Sequence, residues 1–245
     1  MATVVWGPEL ASIYDEVVAE RFAPDVLDPT VDALADLAGD GRALELAIGT
    51  GRVALPLAAR GVEVHGIELS PSMVERLRAK PGGQEIPVAL GDMATTRVDG
   101  SFSLAYLVFN TIQNLTTQDE QVATVANAAA HLQPGGVFVV EVGVPGVLEH
   151  QPGDLGRVTT MADGRLCVDT FGDVVSQETW SHHWDEVDGR TVHHSAPYRY
   201  VWPSELDLMA RLAGLRLRHR WSGWDREPFT PGCRSQVVVY ETLAG

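Results

Sequence analysis

Lysine and cysteine are the residues that this sequence has least of. Lys80 is the single lysine among 18 basic residues, and the two cysteines, Cys167 and Cys233, stand far apart and outside any C-x-x-C pattern. A mechanism that needs a Schiff-base lysine has therefore one candidate, which argues against pyridoxal phosphate chemistry. The cysteine spacing fits neither a zinc site nor a disulfide framework, so we expect a cytoplasmic protein without a bound metal.

Positive charge and long apolar runs are also scarce. The chain has 18 basic and 33 acidic residues and a net charge of −15, which repels nucleic acids and anionic membranes. The most apolar run, residues 136–148, contains Glu141 and Pro145, and the N-terminus is acidic where a signal peptide would be basic. We expect no nucleic-acid partner, no membrane span and no signal peptide, while the composition leaves monomer and homodimer open.

Short apolar runs alternate with helical patterns over the first part of the chain. With 245 residues, 45% of them apolar, the chain is expected to form one domain over residues 1–245. Strands alternating with helices indicate a doubly wound parallel sheet. The five predicted strands are residues 42–49, 61–69, 86–90, 102–109 and 136–142.

The pattern changes after the fifth predicted strand. Period-2 stretches with turn signals occupy residues 156–201, so an antiparallel β insertion with bounds 146–201 is expected as a cap on the acceptor side. A helical pattern at 203–214 and two more strands follow. The fold class predicted is therefore α/β, with a mostly parallel seven-stranded sheet and an antiparallel β insertion after its fifth strand.

A glycine loop follows the first strand. Gly49 and Gly51 stand where the backbone must approach a ligand closely, and with Ala54 they also fit the dinucleotide pattern G-x-G-x-x-A. Glu45 lies inside the apolar strand and needs partners among loop amides or a ligand ammonium. Glu68 ends the next strand, where a carboxylate can accept hydrogen bonds from both hydroxyls of a ribose.

Together with Gly91-Asp92-Met93 after the third strand and H-L-Q-P-G-G at 131–136, these features resemble class I S-adenosylmethionine-dependent methyltransferases of the bacterial small-molecule type. The resemblance covers most of residues 43–141. It implies in-line methyl transfer from S-adenosylmethionine to an O, N or C atom of a small-molecule acceptor. The cofactor-binding residues that it implies are Tyr14, Glu45, Ala47, Gly49, Thr50, Gly51, Glu68, Leu69, Met73, Gly91, Asp92, Met93, Phe109, Asn110 and Gln113.

Two other functions stay open at this point. A protein that binds S-adenosylmethionine as a sensor or scaffold would carry the same loop, and an NAD(P)-dependent oxidoreductase is the weaker alternative. A dehydrogenase of the tyrosine-lysine type needs a lysine after the fourth strand, whereas Lys80 follows the second. The strand-end acids therefore favour methyl transfer.

The acceptor pocket is expected at the carboxyl ends of the strands, where ligands bind in open parallel sheets. A loop at 221–232, rich in Trp, Gly and Pro, follows the sixth strand of the predicted main sheet and is predicted to be a lid. The predicted acceptor-binding residues are Glu141, Trp180, Trp184, Tyr198, Tyr200, Trp224 and Arg226.

The register of the hairpin in the insertion determines which side chains face the acceptor. A two-residue turn, Asp188-Gly189, would set Trp184 opposite His193, whereas a three-residue loop, residues 187–189, sets Trp184 opposite Val192. We favour the three-residue loop.

That register also decides the role of the histidines, because it pairs His182 with His194 among aromatic side chains. A place in the hairpin core is the first interpretation of this pair. A general base is the second, and a metal site with Asp185 the third. The candidate catalytic residues are accordingly His182 and His194, with Tyr14 from the N-terminal helix.

Overall fold

The computed structural model describes residues 7–146, 156–160, 166–187 and 189–243. Six α-helices lie in these residues: α1 (Pro8–Val17), α2 (Pro24–Ala38), α3 (Ala54–Ala59), α4 (Pro71–Arg78), α5 (Gln118–His131) and α6 (Pro203–Leu212). The strands of the same residues are β1 (Ala43–Leu46), β2 (Val64–Glu68), β3 (Val88–Leu90), β4 (Phe102–Leu107), β5 (Leu132–Gly143), β6 (Gly156–Thr160), β7 (Leu166–Phe171), β8 (Glu178–Val187), β9 (Arg190–Arg199), β10 (Leu215–Trp221) and β11 (Ser235–Thr242).

The main sheet has seven strands in the order β10-β11-β5-β4-β1-β2-β3. Strands β1 to β5 run parallel, and β11 pairs antiparallel with both β5 and β10. The order reverses between β1 and β4, which opens a crevice beyond their carboxyl ends. The predicted fold class is confirmed, whereas the single domain of residues 1–245 stays a prediction.

The central parallel strands are buried because helices cover both faces of the sheet, whereas the edge strand β3 is partly exposed. All four residues of β1 are buried, and Leu44 and Leu46 pack in one apolar cluster while Ala43 packs in another on the opposite face. Such strands are mostly apolar instead of alternating, since both of their faces avoid water. The sheet is therefore a rigid base from which the strand-end loops project.

Two of the helices that follow strand-end loops, α4 and α5, begin at a side-chain cap. Ser70 accepts a hydrogen bond from the Met73 amide at 3.3 Å, and Pro71 occupies the first turn of α4. Thr117 and Glu120 form a capping box at α5. Side-chain caps such as these satisfy amides that lack a partner within the helix, so each helix begins at a defined residue.

The predicted antiparallel insertion is present as a second sheet, in the order β6-β7-β8-β9. Its predicted bounds, 146–201, include segments outside the described residues. Its hairpin register differs from the expected one: Val187 pairs with Arg190 and Trp184 with His193, as a two-residue turn requires. Gly189 has a φ of 71°, which suits the primed turns whose twist matches that of the flanking strands. The three-residue loop was therefore the wrong choice.

No helix in the described part of the chain is both long enough and apolar enough to cross a membrane.

Candidate functional site

A cavity of about 510 Å³ opens at the carboxyl ends of the parallel strands, which is a size typical of small-molecule sites. Helix α1 forms one wall through Leu10, Ile13, Tyr14 and Val17. The strand-end loops form the base, and the antiparallel sheet forms the wall on the far side. The cavity thus has a side made by the main sheet and a side made by the insertion.

The glycine loop reaches the cavity through Ala47 and Gly49 but not through its last residues. Ala47, Gly49 and Gly51 have φ values of 56°, 58° and 80°, so three residues of this turn are left-handed. A Cβ on Gly51 would lie 2.3 Å from Leu77 Cδ1, which shows that this glycine allows packing against α4. Thr50 is buried and, like Gly51, does not line the cavity. Thr50 and Gly51 therefore lie behind the cavity wall, and their contact with the cofactor stays a prediction.

Glu68 ends β2 and lines the cavity with only 5% of its surface exposed. The Gly49 amide donates to Oε2 and the Ser70 amide to Oε1, each at 2.8 Å. Burial raises the pKa of this carboxyl, while the bonds from backbone amides act in the opposite direction. Each oxygen has a second lone pair, so the fixed carboxylate can still accept hydrogen bonds from a ligand.

Glu45 lies in β1 outside the cavity wall, although it was expected to contact the cofactor. The Tyr106 hydroxyl donates to its Oε2 at 2.9 Å, and 3% of the residue is exposed. Burial raises the pKa of Glu45 to about 8, against the lowering effects of the Tyr106 bond and the Arg52 charge. The partners that this buried carboxyl required are therefore the Tyr106 hydroxyl of the neighbouring strand β4 and the backbone of Ala54 at the start of α3.

After β3, Asp92 lies at the cavity wall beside apolar side chains. Asp92 accepts a hydrogen bond from the Ala94 amide at 2.8 Å, which fixes its side chain at the cavity wall. A Cβ at Gly91 would lie 2.1 Å from Thr96 Oγ1, so a side chain there would displace Thr96. The apolar residues of this wall are Ile67, Leu69, Met73 and Met93.

The loop after β4 is held by Glu141, a residue that was predicted to bind the acceptor. Phe109 and Asn110 both have left-handed backbones, with φ values of 58° and 61°. Glu141 accepts a hydrogen bond from the Phe109 amide at 2.7 Å, and Asn110 accepts one from the Gly143 amide at 2.6 Å. Glu141 does not line the cavity, whereas Phe109, Asn110 and Gln113 do. Glu141 therefore positions this loop and is not placed to bind the acceptor.

Asp15 fastens helix α1 to the glycine loop. Its carboxylate accepts from Thr50 Oγ1 at 2.6 Å and lies 2.6 Å from Lys80 Nζ, which also donates to the Thr50 carbonyl at 2.9 Å. Tyr14, the preceding residue, lines the cavity, and burial raises the pKa of its hydroxyl. The single lysine of the chain thus has a structural role in closing the cavity.

The insertion presents a polar face to the cavity. This face is formed by Asp169 of β7, Thr179, Ser181 and His183 of β8, and His194 and Tyr198 of β9, with Tyr200 just beyond. Burial raises the pKa of Tyr198 to about 12, so its hydroxyl stays protonated. Three of the predicted residues, His194, Tyr198 and Tyr200, therefore lie where the acceptor side was expected.

Three other predicted residues lie on the opposite face of the same sheet. Trp180 and Trp184 are each 39% exposed there, and His182 stacks on His193 with ring centroids 6.0 Å apart. The cause is the register: a shift of one residue moves every side chain of a strand to the other face. Because His182 and His194 lie on opposite faces, they are not placed to bind one metal ion together. Asp185, its third expected ligand, has a side chain outside the described residues.

The loop after β10 leaves the expected edge of the sheet but does not cover the cavity. Trp224 packs against the core cluster that includes residues of α2, and Arg226 pairs with Asp36 of α2 at 2.5 Å. Neither residue lines the cavity. Apolar burial and this ion pair hold the two side chains on the outer helix layer, so the structure does not bring them to the cavity, and the lid stays a prediction.

Sequence reasoning missed Asp169, Ser181 and His183, which the two-residue turn would have identified. In that register His183 pairs with His194, and the alternate residues of β8 share its face. It also missed the apolar side of α1 as a wall of the cavity. The sequence feature that indicated the correct register was the Asp188-Gly189 dipeptide, because Asp-Gly strongly favours a two-residue hairpin turn.

Comparison with known proteins gives one consistent result. Residues 43–136 match the family model described as a methyltransferase domain. The chain is 28% identical to the cypemycin N-terminal methyltransferase of a Streptomyces species, over 94% of this chain and 98% of that one. It is 35% identical, over 40% of each chain, to the dTDP-3-amino-3,4,6-trideoxy-alpha-D-glucopyranose N,N-dimethyltransferase of Streptomyces venezuelae. The solved structure of the CcbJ methyltransferase from Streptomyces caelestis matches all of both chains with a TM-score of 0.83 and 33% identity.

Proposed function

Because the chain belongs to the S-adenosylmethionine-dependent methyltransferases, we propose that it transfers the methyl group of this cofactor to the nitrogen of a small-molecule amine. The observation that carries the choice of an amine is the charge of the cavity wall. Besides Glu68 and Asp92, which are assigned to the cofactor, the wall has the acidic residues Glu20 and Asp169, and among the described lining residues Arg21 is the one permanent cation. Such a wall attracts an ammonium group and repels an anion.

The side of the cavity formed by the main sheet fits the cofactor in its chemistry. Glu68 offers a fixed carboxylate to the two ribose hydroxyls, and Asp92 offers one to the adenine amino group. Leu69 and Met93 supply apolar surface for the faces of the ring. Ala47 and Gly49 bring backbone to the cavity wall for the methionine part. These assignments follow the motif of the family residue by residue.

When bound, the cofactor would supply an electrophilic methyl carbon, which a nucleophile attacks in line with the departing thioether sulfur. The contribution of the protein is to align the acceptor with that methyl group and to exclude water. Helix α1 and the antiparallel sheet close the cavity from two sides, so the acceptor nitrogen is placed between the strand-end loops and the polar face of the insertion.

The arginines on the acceptor side do not provide an anion site. Arg199 is buried, bonds to Glu205 at 2.7 Å and does not line the cavity. Arg226 is paired with Asp36 on the outer helix layer. Among the described lining residues Arg21, which lies 3.9 Å from Glu20 and over the Phe109 ring, is left as the cation that could meet an anionic group.

The printed activities of the relatives support nitrogen as the acceptor atom. One of them is named for an N-terminal amine and another for the amino group of a sugar nucleotide. Both acceptors are amines, although one is a peptide and the other a sugar. For this chain we propose that the acceptor is an amine, and we do not extend the peptide or the sugar to it.

A panel of acceptors tests this proposal. Purified protein with labelled S-adenosylmethionine is expected to methylate primary or secondary amines, namely peptides with a free N-terminus and amino sugars, because the acidic wall binds their cations. Each amine is matched with the alcohol of the same carbon skeleton, for which turnover should stay at background. Turnover of the alcohols at the rate of the amines would refute the choice of nitrogen. Cofactor binding without turnover of any amine would refute methyl transfer to this acceptor class.

Asp15 provides a separate test of how α1 closes the cavity. In Asp15→Ala, Thr50 and Lys80 lose their carboxylate partner, so we expect cofactor binding to weaken by about tenfold as the helix loosens. Calorimetry with S-adenosylhomocysteine measures the change. Glu16→Ala is the matched control, because it removes the same charge from the next, exposed residue of the helix. Equal affinities of the two variants would show that Asp15 does not hold this wall.

A further inference from the structure

We propose that His183 accepts the proton that the acceptor amine loses before methyl transfer. This inference rests on the proposed function and names a residue for one of its steps. An alkyl amine of pKa about 8 to 10 is mostly an ammonium ion near neutrality, and an ammonium nitrogen has no lone pair for attack. The acidic wall of the cavity concentrates this unreactive cation. A group on the acceptor side must therefore take up a proton.

Proton transfer from the ammonium group comes before methyl transfer. One N–H bond of the ammonium breaks, its electron pair stays on nitrogen, and the proton bonds to an imidazole nitrogen of His183. The neutral amine then forms its bond to the methyl carbon as the carbon–sulfur bond breaks. The product leaves as a methylated ammonium ion, and His183 returns its proton to water.

The position of His183 suits this role because contacts at one ring nitrogen, Nε2, hold the imidazole in place. Ser181 Oγ lies 2.9 Å from His183 Nε2, and Cys167 Sγ lies 3.3 Å from the same serine oxygen. Cys167 in turn donates to Asp169 Oδ1 at 3.6 Å. Ser181 and Cys167 are buried, so this hydrogen-bonded chain orients the imidazole at the cavity wall. A base held in one orientation is what general-base catalysis requires.

His194 shields the other side of the ring. The two imidazoles stack with centroids 5.0 Å apart and planes 9° from parallel. Two imidazolium ions in such contact would repel each other, so the pair is suited to hold a single added proton. The Asp169 carboxylate on the same face stabilises that charge. The other ionisable groups of the cavity's acceptor side and α1 wall are Tyr198, Tyr200, Tyr14, Glu20 and Arg21.

The neighbouring histidine offers a matched control. His183 and His182 are adjacent in β8 but lie on opposite faces of the sheet. His183→Gln is expected to lower kcat with an amine acceptor by about 10²- to 10⁴-fold while cofactor affinity stays within twofold, because proton transfer affects only the reaction. His182→Gln should keep kcat near that of the wild type. Added imidazole should restore part of the activity of His183→Ala, which leaves room for it.

A spectroscopic measurement gives a readout that does not depend on turnover. In the wild-type complex with S-adenosylhomocysteine and ¹⁵N-labelled histidine, addition of the amine should move the His183 ring signals to imidazolium values. The matched alcohol should leave them unchanged. Assignment through contacts with Ser181 makes this test independent of whether a His183 variant folds.

The outcomes separate the two proposals. If the wild type methylates no amine, the proposed function fails whatever His183 does. If the wild type methylates amines while His183→Gln keeps full kcat, or while the His183 signals do not respond to the amine, only the assignment of His183 is overturned. A loss of melting temperature with kcat intact in the folded fraction would likewise show a structural residue.

Discussion

Replacing Arg199 with Ala should lower the free energy of unfolding by about 3 to 5 kcal/mol, because the change leaves a mostly buried carboxylate without its cation. Arg199 is 2% exposed at the end of β9 and bonds to Glu205 of α6 at 2.7 Å and to the side chain of Gln121 of α5. Denaturant unfolding of the two proteins at pH 7 measures the difference.

Glu205 is the centre of a network that joins the insertion to the main sheet. It also accepts hydrogen bonds from Gln177 at 2.9 Å and from Gln118 at 2.8 Å. Burial acts to raise the pKa of Glu205, but the bonds from these residues and Arg199 outweigh it and the pKa lies below its usual value. A lowered pKa means that the bridge stabilises the fold above about pH 4.5 and that this stabilisation is lost as the pH falls further. The effect of Arg199→Ala should therefore shrink in acid.

An exposed ion pair gives the control for this prediction. Arg216 is 62% exposed and lies 2.8 Å from Glu241. Arg216→Ala should change stability by at most about 1 kcal/mol, because water already solvates both charges. Equal effects of the two substitutions would mean that the Arg199 network does not hold the insertion. A further expected result is that Arg199→Ala raises the KM of the acceptor more than the Kd of the cofactor, since only the acceptor side contacts the insertion.

The cofactor side of the cavity could be predicted from the sequence because the topology of a parallel sheet fixes it. Every parallel strand ends at the same edge, so a polar residue after a predicted strand has a known location. Glu68 and Asp92 satisfy this rule, and both line the cavity. Glu45 does not, because it lies within its strand and bonds across the sheet to Tyr106.

The acceptor side could not be predicted to the same degree because it depends on a register. In the hairpin of β8 and β9, the choice between a two-residue and a three-residue turn exchanges His182 for His183 at the cavity. The aromatic pattern favoured the wrong choice, since Trp180 and Trp184 suggested a buried face although both are partly exposed.

Long side chains near strand ends were the other source of error. Glu141 lies near the end of β5 and Arg226 follows β10, yet neither lines the cavity: Glu141 accepts from the Phe109 amide and Arg226 pairs with Asp36. A sequence gives the edge at which a loop emerges but not the side to which its charged groups turn. Partners far away in the chain decide that.

Replacing Glu68 with Ala should weaken binding of S-adenosylmethionine by about 1.5 to 3 kcal/mol, or roughly tenfold to a hundredfold. The carboxylate is held by the Gly49 and Ser70 amides at the end of β2, where it can accept both ribose hydroxyls as charge-assisted hydrogen bonds. Calorimetry with S-adenosylhomocysteine measures the loss, and NAD should show no binding to either protein.

Glu68→Ala also removes the acceptor of these two amides. A second effect, on stability, is therefore expected, and the experiment has to separate it from the effect on cofactor binding. Without the carboxylate the glycine loop loses an acceptor, so the melting temperature should also fall. Glu68→Gln retains one acceptor oxygen for the loop but not the charge, and it should therefore recover stability more than affinity. Glu63→Ala, an exposed acid just before the same strand, should leave affinity unchanged. If Glu68→Ala bound the cofactor as tightly as Glu63→Ala does, the ribose would have to bind elsewhere in the cavity.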